Sequence, residues 1–343
     1  MEITFILPTI NRKKFVTRAI DSCLHINKQS QNIKAKVLVL DGFSDDGAWE
    51  IMRTKYQSNK NVILKQFDQN LGFQETAFIG LKLVNTEYCT YMYNDDVISP
   101  FYWKLAHKLK NNKQTFIMGY GKNEKISKII DFKEPIFKSI YSKDIILNYF
   151  GYFNSLNYSS LPVSPVPCLS KTSNLIRWEK EVRDFVKESN FRRELMLKKN
   201  IGPDLILYLY NLMIQNDHII FCNSTIAQLS FHKKSMSIIY GKQPLSTGYW
   251  LARVWYFEKY LNNYEINKSY SSKLSAYLII SGFYIFILNL IFLNFSQSMN
   301  VLSEILKVVK KIFYNKLFFE TVYNSMIVLI NRMKRRKKFL TPC

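Results

Sequence analysis

"EYCTYMYNDDVISP", residues 87–100, sets an apolar, aromatic run directly against two consecutive carboxylates. The run reads as a buried strand, and what the chain does with Asn94, Asp95 and Asp96 at its end decides the kind of sheet it belongs to. Adjacent carboxylates repel each other, and a cation or donors such as ribose hydroxyls relieve that repulsion. A helix start would also favour acidic residues. Ser99 and Pro100, however, already suit the cap and first turn of a helix over "FYWKLAHKLK", which leaves the carboxylates upstream of the cap.

Upstream, short apolar runs alternate with amphipathic stretches. "ITFILP" is a first strand, and "KKFVTRAIDSCLHI" spaces Phe15, Ala19, Ile20 and Leu24 like one helix face. Val37 to Leu40 form a second strand, "DGFSDDG" a polar turn and "AWEIMRTKY" the next helix; "NVILKQF" and a helix from about Phe73 to Val84 follow. This is the βαβ pattern of an α/β fold with a mainly parallel sheet flanked by helices. Ligands bind such sheets at the carboxyl ends of the strands. There the sequence places Thr9, Asn11 and Arg12, then Asp41, Ser44, Asp45 and Asp46, then Asn70 and Gly72, then Asn94, Asp95 and Asp96. Taken alone, "DGFSDDG" also reads as an ordinary turn. Hard cations such as Mg²⁺ and Mn²⁺ prefer oxygen ligands and use a few carboxylates together with substrate phosphates, so a nucleoside diphosphate with its metal fits this rim.

Composition agrees with a globular chain: 343 residues, 48% hydrophobic, can bury one large core or two smaller ones. The 48 Lys and Arg against 26 Asp and Glu give a formal charge of +22, which favours an anionic partner. Cys23, Cys89, Cys168, Cys222 and Cys343 show no metal-like spacing and read as reduced thiols in a cytoplasm. No Walker-type loop or Gly-x-Gly-x-x-Gly fingerprint is present, which argues against an ATPase or an NAD enzyme. "PTINRKK" lacks the glycine-rich loop of a nucleotidyltransferase. The basic residues are dispersed without a nucleic-acid motif, so no nucleic-acid partner is expected.

The ordered motifs "LPTINR", "VLVLDGFSDDG", "NLG" and "YMYNDDV" resemble those of family 2 glycosyltransferases of GT-A fold, most clearly over residues 1 to about 100. The resemblance implies a Rossmann-like sheet and a nucleotide-sugar donor, a UDP-sugar being expected. Thr9 and Asn11 would lie beside the nucleoside, Asp41 would hydrogen-bond the base, and Arg12, Ser44 and Asn70 would complete the donor-binding set. Asp95 would contact the ribose or sugar, and Asp96 would bind Mn²⁺ or Mg²⁺. Many members carry a third carboxylate where this chain has Asn94, so weaker metal binding is expected here.

Further on, "SPVPCLSKTSNL" resembles the acceptor-side segment of members that build bacterial surface polysaccharides, with Pro167 in place of the usual glycine; Cys168 reads as a buried structural thiol. Asp204 in "KKNIGPDLILYLYNLM" resembles the family's second acidic site, where it would act as catalytic base, and reads equally well as a helix cap. "NDHIIFCNSTIAQLSFHKKSMSI" reads as two strands with a turn. His232 within it resembles a histidine that ligates the metal or contacts the diphosphate, although a lone histidine is more often structural, and Lys233 and Lys234 suit a leaving diphosphate.

Residues 274–295 carry no charge and are long enough to span a bilayer. A single span with the catalytic half in the cytoplasm would put the basic end, "NRMKRRKKFL", outside, against the usual preference of Lys and Arg, so a buried or shallowly lying helix is favoured. The division expected is a GT-A domain over 1–240, with nucleotide-sugar (1–120) and acceptor (121–240) halves, and a helical, basic C-terminal region over 241–343. The expected function is an inverting, metal-dependent transfer of sugar to a lipid-linked glycan in bacterial capsule or O-antigen synthesis. The enzyme would sit in the cytoplasm, peripheral on the anionic inner face of the membrane. The alternative is a catalytically silent scaffold of the same fold in a membrane polysaccharide complex.

Overall fold

A computed structural model of the protein describes residues 1–151, 161–215, 217–233, 235–263 and 267–327. Lys234 and the basic end from residue 331 lie outside them. The strands are β1 (Glu2–Thr9), β2 (Lys34–Asp41), β3 (Val62–Gln66), β4 (Tyr88–Tyr91), β5 (Val97–Ile98), β6 (Phe116–Lys125), β7 (Phe137–Tyr141), β8 (Cys168–Lys171) and β9 (His218–Phe231). They form one sheet in the order β3-β2-β1-β4-β8-β6-β9-β5, with β7 also paired to β9.

The first four strands are parallel and linked by the helices Val16–Leu24, Ala48–Tyr56 and Phe73–Lys82. β1 and β2 are buried on both faces, so both read as continuous apolar runs, whereas β3 alternates buried and exposed residues because it is the edge. Beyond β4 the sheet is mixed: β8 is antiparallel to β4 and β6, β6 runs parallel to β9, and β5 and β7 are antiparallel to β9. Strand order reverses between β1 and β4, which places the ligand crevice of an open sheet beside Thr9 and Asn94.

Three local expectations need correction. Residues 218–231 are one strand, not two: the "NST" segment is accommodated by register shifts against β6 that bend β9 without breaking it. The helix after the carboxylates begins at Trp103, not next to Ser99; Ser99 Oγ accepts from Phe101 N at 3.1 Å and caps the turn that leads into it. The first helix buries Val16, Ala19, Ile20 and Cys23. Phe15 precedes that helix and turns instead onto His232, with ring centroids 4.8 Å apart.

Alternation along the strands divides the core. Phe5, Leu7, Val37 and Val39 pack on one face with the first helix. Ile6, Leu38 and Leu40 lie on the other, in a cluster that continues into Trp250, Trp255, Leu274 and Ile305. These last residues belong to the helices Lys242–Asn263, Lys268–Ile291 and Phe295–Tyr314, so the C-terminal helices share one core with the sheet.

Candidate active site

Two turns at the carboxyl ends of β1 and β2 are bonded to each other. Ser44 Oγ accepts from Asn11 N at 2.9 Å, Asn11 Oδ1 from Asp45 N at 2.9 Å, and Asp46 Oδ2 from Lys13 N at 2.9 Å. Asn11 has a φ of 52°, a left-handed conformation that asparagine tolerates better than most residues. "DGFSDDG" is thus a turn and also half of a two-turn platform, and Asp46 serves it internally by accepting from Ala48 N at 3.0 Å.

Register aligns Thr9 with Asp41 and Asp41 with Gln66 across three strands. Asp41 is fully buried and accepts from Ser44 N at 2.9 Å and from Gln66 Nε2 at 3.0 Å. Thr9 is also buried, and among the described residues its Oγ1 has no hydrogen-bond partner. Such an orphaned hydroxyl at a strand end is what a ligand polar group would satisfy. Asn70 is exposed on the far side, where its side chain accepts from Gly72 N at 2.9 Å ahead of the helix Phe73–Lys82. Arg12 Nη1 donates to Asn11 O at 3.1 Å within the same platform.

The acidic pair diverges. Asp95 Oδ2 meets His232 Nε2 at 3.0 Å, which brings together two residues 137 positions apart. Asp96 turns inward, 3% exposed, and accepts from Ser230 N at 2.7 Å. Burial first, then the neighbouring Asp95, push the Asp96 carboxyl well above the ordinary carboxylate range. Asn94 does not extend the pair: its Nδ2 donates to Pro8 O at 3.2 Å and pins the end of β4 to β1. Among the described residues no three His, Cys, Asp or Glu side chains are gathered into a metal cage. The donor set still fits a hard or borderline divalent cation that takes its remaining ligands from phosphate and water, since carboxylate and imidazole converge at Asp95 and His232 beside Asp96.

Sequence reasoning missed Arg18. From the first helix its Nη1 donates to Ile126 O at 2.6 Å, and its Nη2 to Asp95 O at 2.6 Å and Ser230 Oγ at 3.0 Å. One guanidinium therefore ties the acidic strand end to β9, and its charge opposes the upward shift of Asp96. Replacing Arg18 by Ala strands three acceptors and is expected to cost about 2–3 kcal/mol, read from thermal unfolding. Lys recovers only part of that, because a single ammonium cannot reproduce the fork.

Asp204 stands at the start of the helix Pro203–Ile214. Its Oδ1 accepts from Leu205 N at 3.0 Å and its Oδ2 from the Tyr249 hydroxyl at 3.4 Å. It is not the helix cap that the sequence suggests: Gly202 holds the cap position without a side-chain bond, and Asp204 is the second residue of the first turn. Burial raises its carboxyl to about 7 against the opposing pull of these donors. Tyr249 reaches it because two glycines let backbones touch: a Cβ on Gly202 would lie 2.6 Å from Gly248 O, and one on Gly248 would lie 2.7 Å from Ile201 O. Asp204 lines a narrow cleft with Tyr93, Asn200, Gln74 and Pro165, whose free volume of about 10 Å³ has room for one water. Tyr93 immediately precedes Asn94, so this cleft adjoins the acidic strand end. Cys168 lies below, buried, donating to Pro165 O at 3.1 Å, with its thiol pushed up to about 12 by burial; it is a structural residue.

Residues 4–154 match the family model "Glycosyl transferase family 2". Over 102 residues the chain is 29% identical to the abequosyltransferase RfbV of Salmonella typhimurium, a match that spans 29% of each chain. The fold resembles S. aureus TarS 1–349 in complex with UDP-GlcNAc, with a TM-score of 0.62 at 15% identity over 98% of this chain and 92% of that one. Against a longer TarS structure the TM-score is 0.53 at 14% identity, and the match spans 44% of that chain.

Proposed function

We propose, from the premise that this chain is a glycosyltransferase of family 2 with a GT-A fold, that it transfers a sugar with inversion from a UDP-sugar to a lipid-linked glycan acceptor in the synthesis of a bacterial surface polysaccharide. The observation that carries the reading is the placement of two acidic sites on either side of Tyr93: Asp95 and Asp96 follow it at the end of β4, and Asp204 shares its cleft. Residues 1–240 would be the catalytic unit and 241–343 its helical support at an anionic membrane surface on the cytoplasmic side. The names of the abequosyltransferase and of the UDP-GlcNAc complex support sugar transfer and the donor class.

In this mechanism the platform of Asn11, Arg12 and Ser44, with Thr9 and Asp41, receives the nucleoside. Asp95, Asp96 and His232 would hold a divalent cation, which supplies charge neutralisation at the diphosphate. The Asp204 carboxylate then takes the proton of the acceptor hydroxyl as its oxygen bonds to the anomeric carbon; the bond from that carbon to the diphosphate oxygen breaks, and the nucleoside diphosphate leaves with the electron pair. Lys233, next to His232, faces the departing charge in this reading.

Calorimetric titration with UDP, GDP and dTDP, each with and without Mn²⁺, tests the proposal. One nucleotide is expected to bind in a metal-dependent way, and Asp96→Ala to weaken it by at least about tenfold. Folded protein that binds none of the three would move the assignment to a silent scaffold of the same fold.

A further inference from the structure

The helices Lys268–Ile291 and Phe295–Tyr314 form an antiparallel hairpin whose outward faces carry the wrong polarity for water. On the first, the exposed side chains from residue 283 onward are Phe283, Tyr284, Ile287, Leu290 and Ile291. The connecting turn adds Phe292 and Leu293, 65% and 75% exposed, followed by Phe295. On the second helix the outward face carries Met299, Leu306 and Phe313, with Ser303 and Lys310 between them. Scattered exposed apolar residues need no explanation, but a contiguous ridge built from two helices and their turn does.

The hairpin is not free to leave the protein. Its inner side holds Leu274, Leu278, Val301 and Ile305 in the main core, and Leu278 O accepts from Trp250 Nε1 at 3.0 Å. Asn289 is buried and accepts from Gln243 Nε2. Glu304 is bound by Arg192 at 2.6 Å. Crossing a bilayer would strip these partners from the first helix and leave buried polar groups in hydrocarbon. A shallow position strips nothing, because only the outward ridge would meet lipid.

Charge selects the occupant. Residues 267–327 contain six lysines and two glutamates, and one of those glutamates, Glu304, is buried in its pair with Arg192. Lys310 and Lys316 are exposed beside the hydrophobic ridge, Lys307 and Lys311 pair with Glu304 and Glu258 on its inner side, and Glu320 is the only exposed acid in this segment. Apolar residues flanked by lysines are the makeup of elements that lie in the interface of an anionic bilayer, apolar side down by about 5–10 Å. We infer that the turn Ile291–Phe295 and the two helical faces beside it are a wedge that docks this protein on acidic phospholipid without spanning it. The wedge gives the surface contact a definite address on the fold, and it stands apart from the transfer chemistry because lipid binding is read without any sugar donor.

The test is flotation of the full chain with vesicles of phosphatidylcholine alone and of phosphatidylcholine with phosphatidylglycerol. A double variant, Phe292→Ser with Leu293→Asn, removes the tip; Leu293 has a φ of 54°, a conformation Asn accepts, so the fold is kept and the melting temperature should not fall. Wild type is expected to float with the acidic vesicles, to be released by alkaline carbonate, and to lose at least about tenfold in partitioning in the double variant, with a smaller loss in Lys310→Glu. Equal flotation of the double variant, or absence of wild-type flotation with acidic vesicles, would overturn the wedge. Resistance to carbonate would point to a spanning helix instead, and a wild-type dimer that the double variant converts to monomer without vesicle binding would give the ridge to a second copy of the chain.

Discussion

Asp204→Asn should abolish most transfer while making the protein more stable above pH 7. Removing a positioned general base costs typically about 10²–10⁴-fold in rate, and Asn matches the shape of Asp without its basicity. The stability gain follows from the raised carboxyl. Its value of about 7 in the folded chain lies above the ordinary 3.8, so the folded state holds the proton more tightly than the unfolded one. That contribution is fully present below about pH 4 and is lost as pH rises through about 7, where the buried group must ionise; by linkage it approaches ~4 kcal/mol at the upper limit. Asn carries no such cost. Melting curves of the two proteins at pH 5 and pH 8, together with a turnover assay, would show the variant gaining on wild type by clearly more at pH 8 than at pH 5, because the loss accumulates from about pH 4 to about pH 7. Wild-type kcat/KM should rise with pH through about 7 and then level off. A variant that keeps its activity, or a pH profile flat from 5 to 9, would remove Asp204 from the mechanism.

Arg192→Leu should destabilise the protein by about 3–5 kcal/mol, the cost of leaving a buried charge without its partner. Arg192 is fully buried, with Phe185 against its guanidinium at 3.8 Å. It reaches Glu304 at 2.6 Å, Glu188 at 2.5 Å and Glu258 at 3.9 Å, and thereby ties three segments together: the end of the helix Thr172–Lys187, the helix Lys242–Asn263 and the inner face of the hairpin. Without the arginine, Glu304 and Glu258 keep only the partly exposed Lys307 and Lys311 as partners and repel each other, and Glu258 already sits above the ordinary carboxylate range through burial. The double variant Arg192→Leu with Glu304→Leu should recover much of the loss, because an apolar pair of similar volume can replace a buried ion pair at little cost. Denaturant melts of the wild type, single and double variants decide it. A single variant as stable as wild type would mean that water reaches this cluster.

Much of the fold was legible in the chain. The parallel half of the sheet could be read because β1, β2 and β4 are central strands whose apolar runs end abruptly in polar residues, and because the helices between them have short, regular links. The second half was harder. The stretch that becomes β9 reads locally as two strands with a turn, while in the fold register shifts against β6 keep it one strand. Such shifts depend on which strand lies alongside. Likewise Asn94 braces the strand end through Pro8 O, a role set by a strand 86 residues earlier that no local pattern encodes.

The sequence by itself determined the four strand ends, the acidic pair and the helical start that carries Asp204, since each is a local matter of residue type and spacing. Tertiary structure alone decided which of these meet. It set His232 against Asp95, Arg18 across the acidic strand end and Tyr249 over Asp204, and it exposed the apolar ridge of a hairpin whose first helix is long and apolar enough to cross a bilayer. The physical reason is common to all four. Side-chain type and periodicity act over a few residues, whereas hydrogen bonds between residues 45 to 137 positions apart, and the choice of which helix face is covered, exist only once the sheet has brought distant segments into contact.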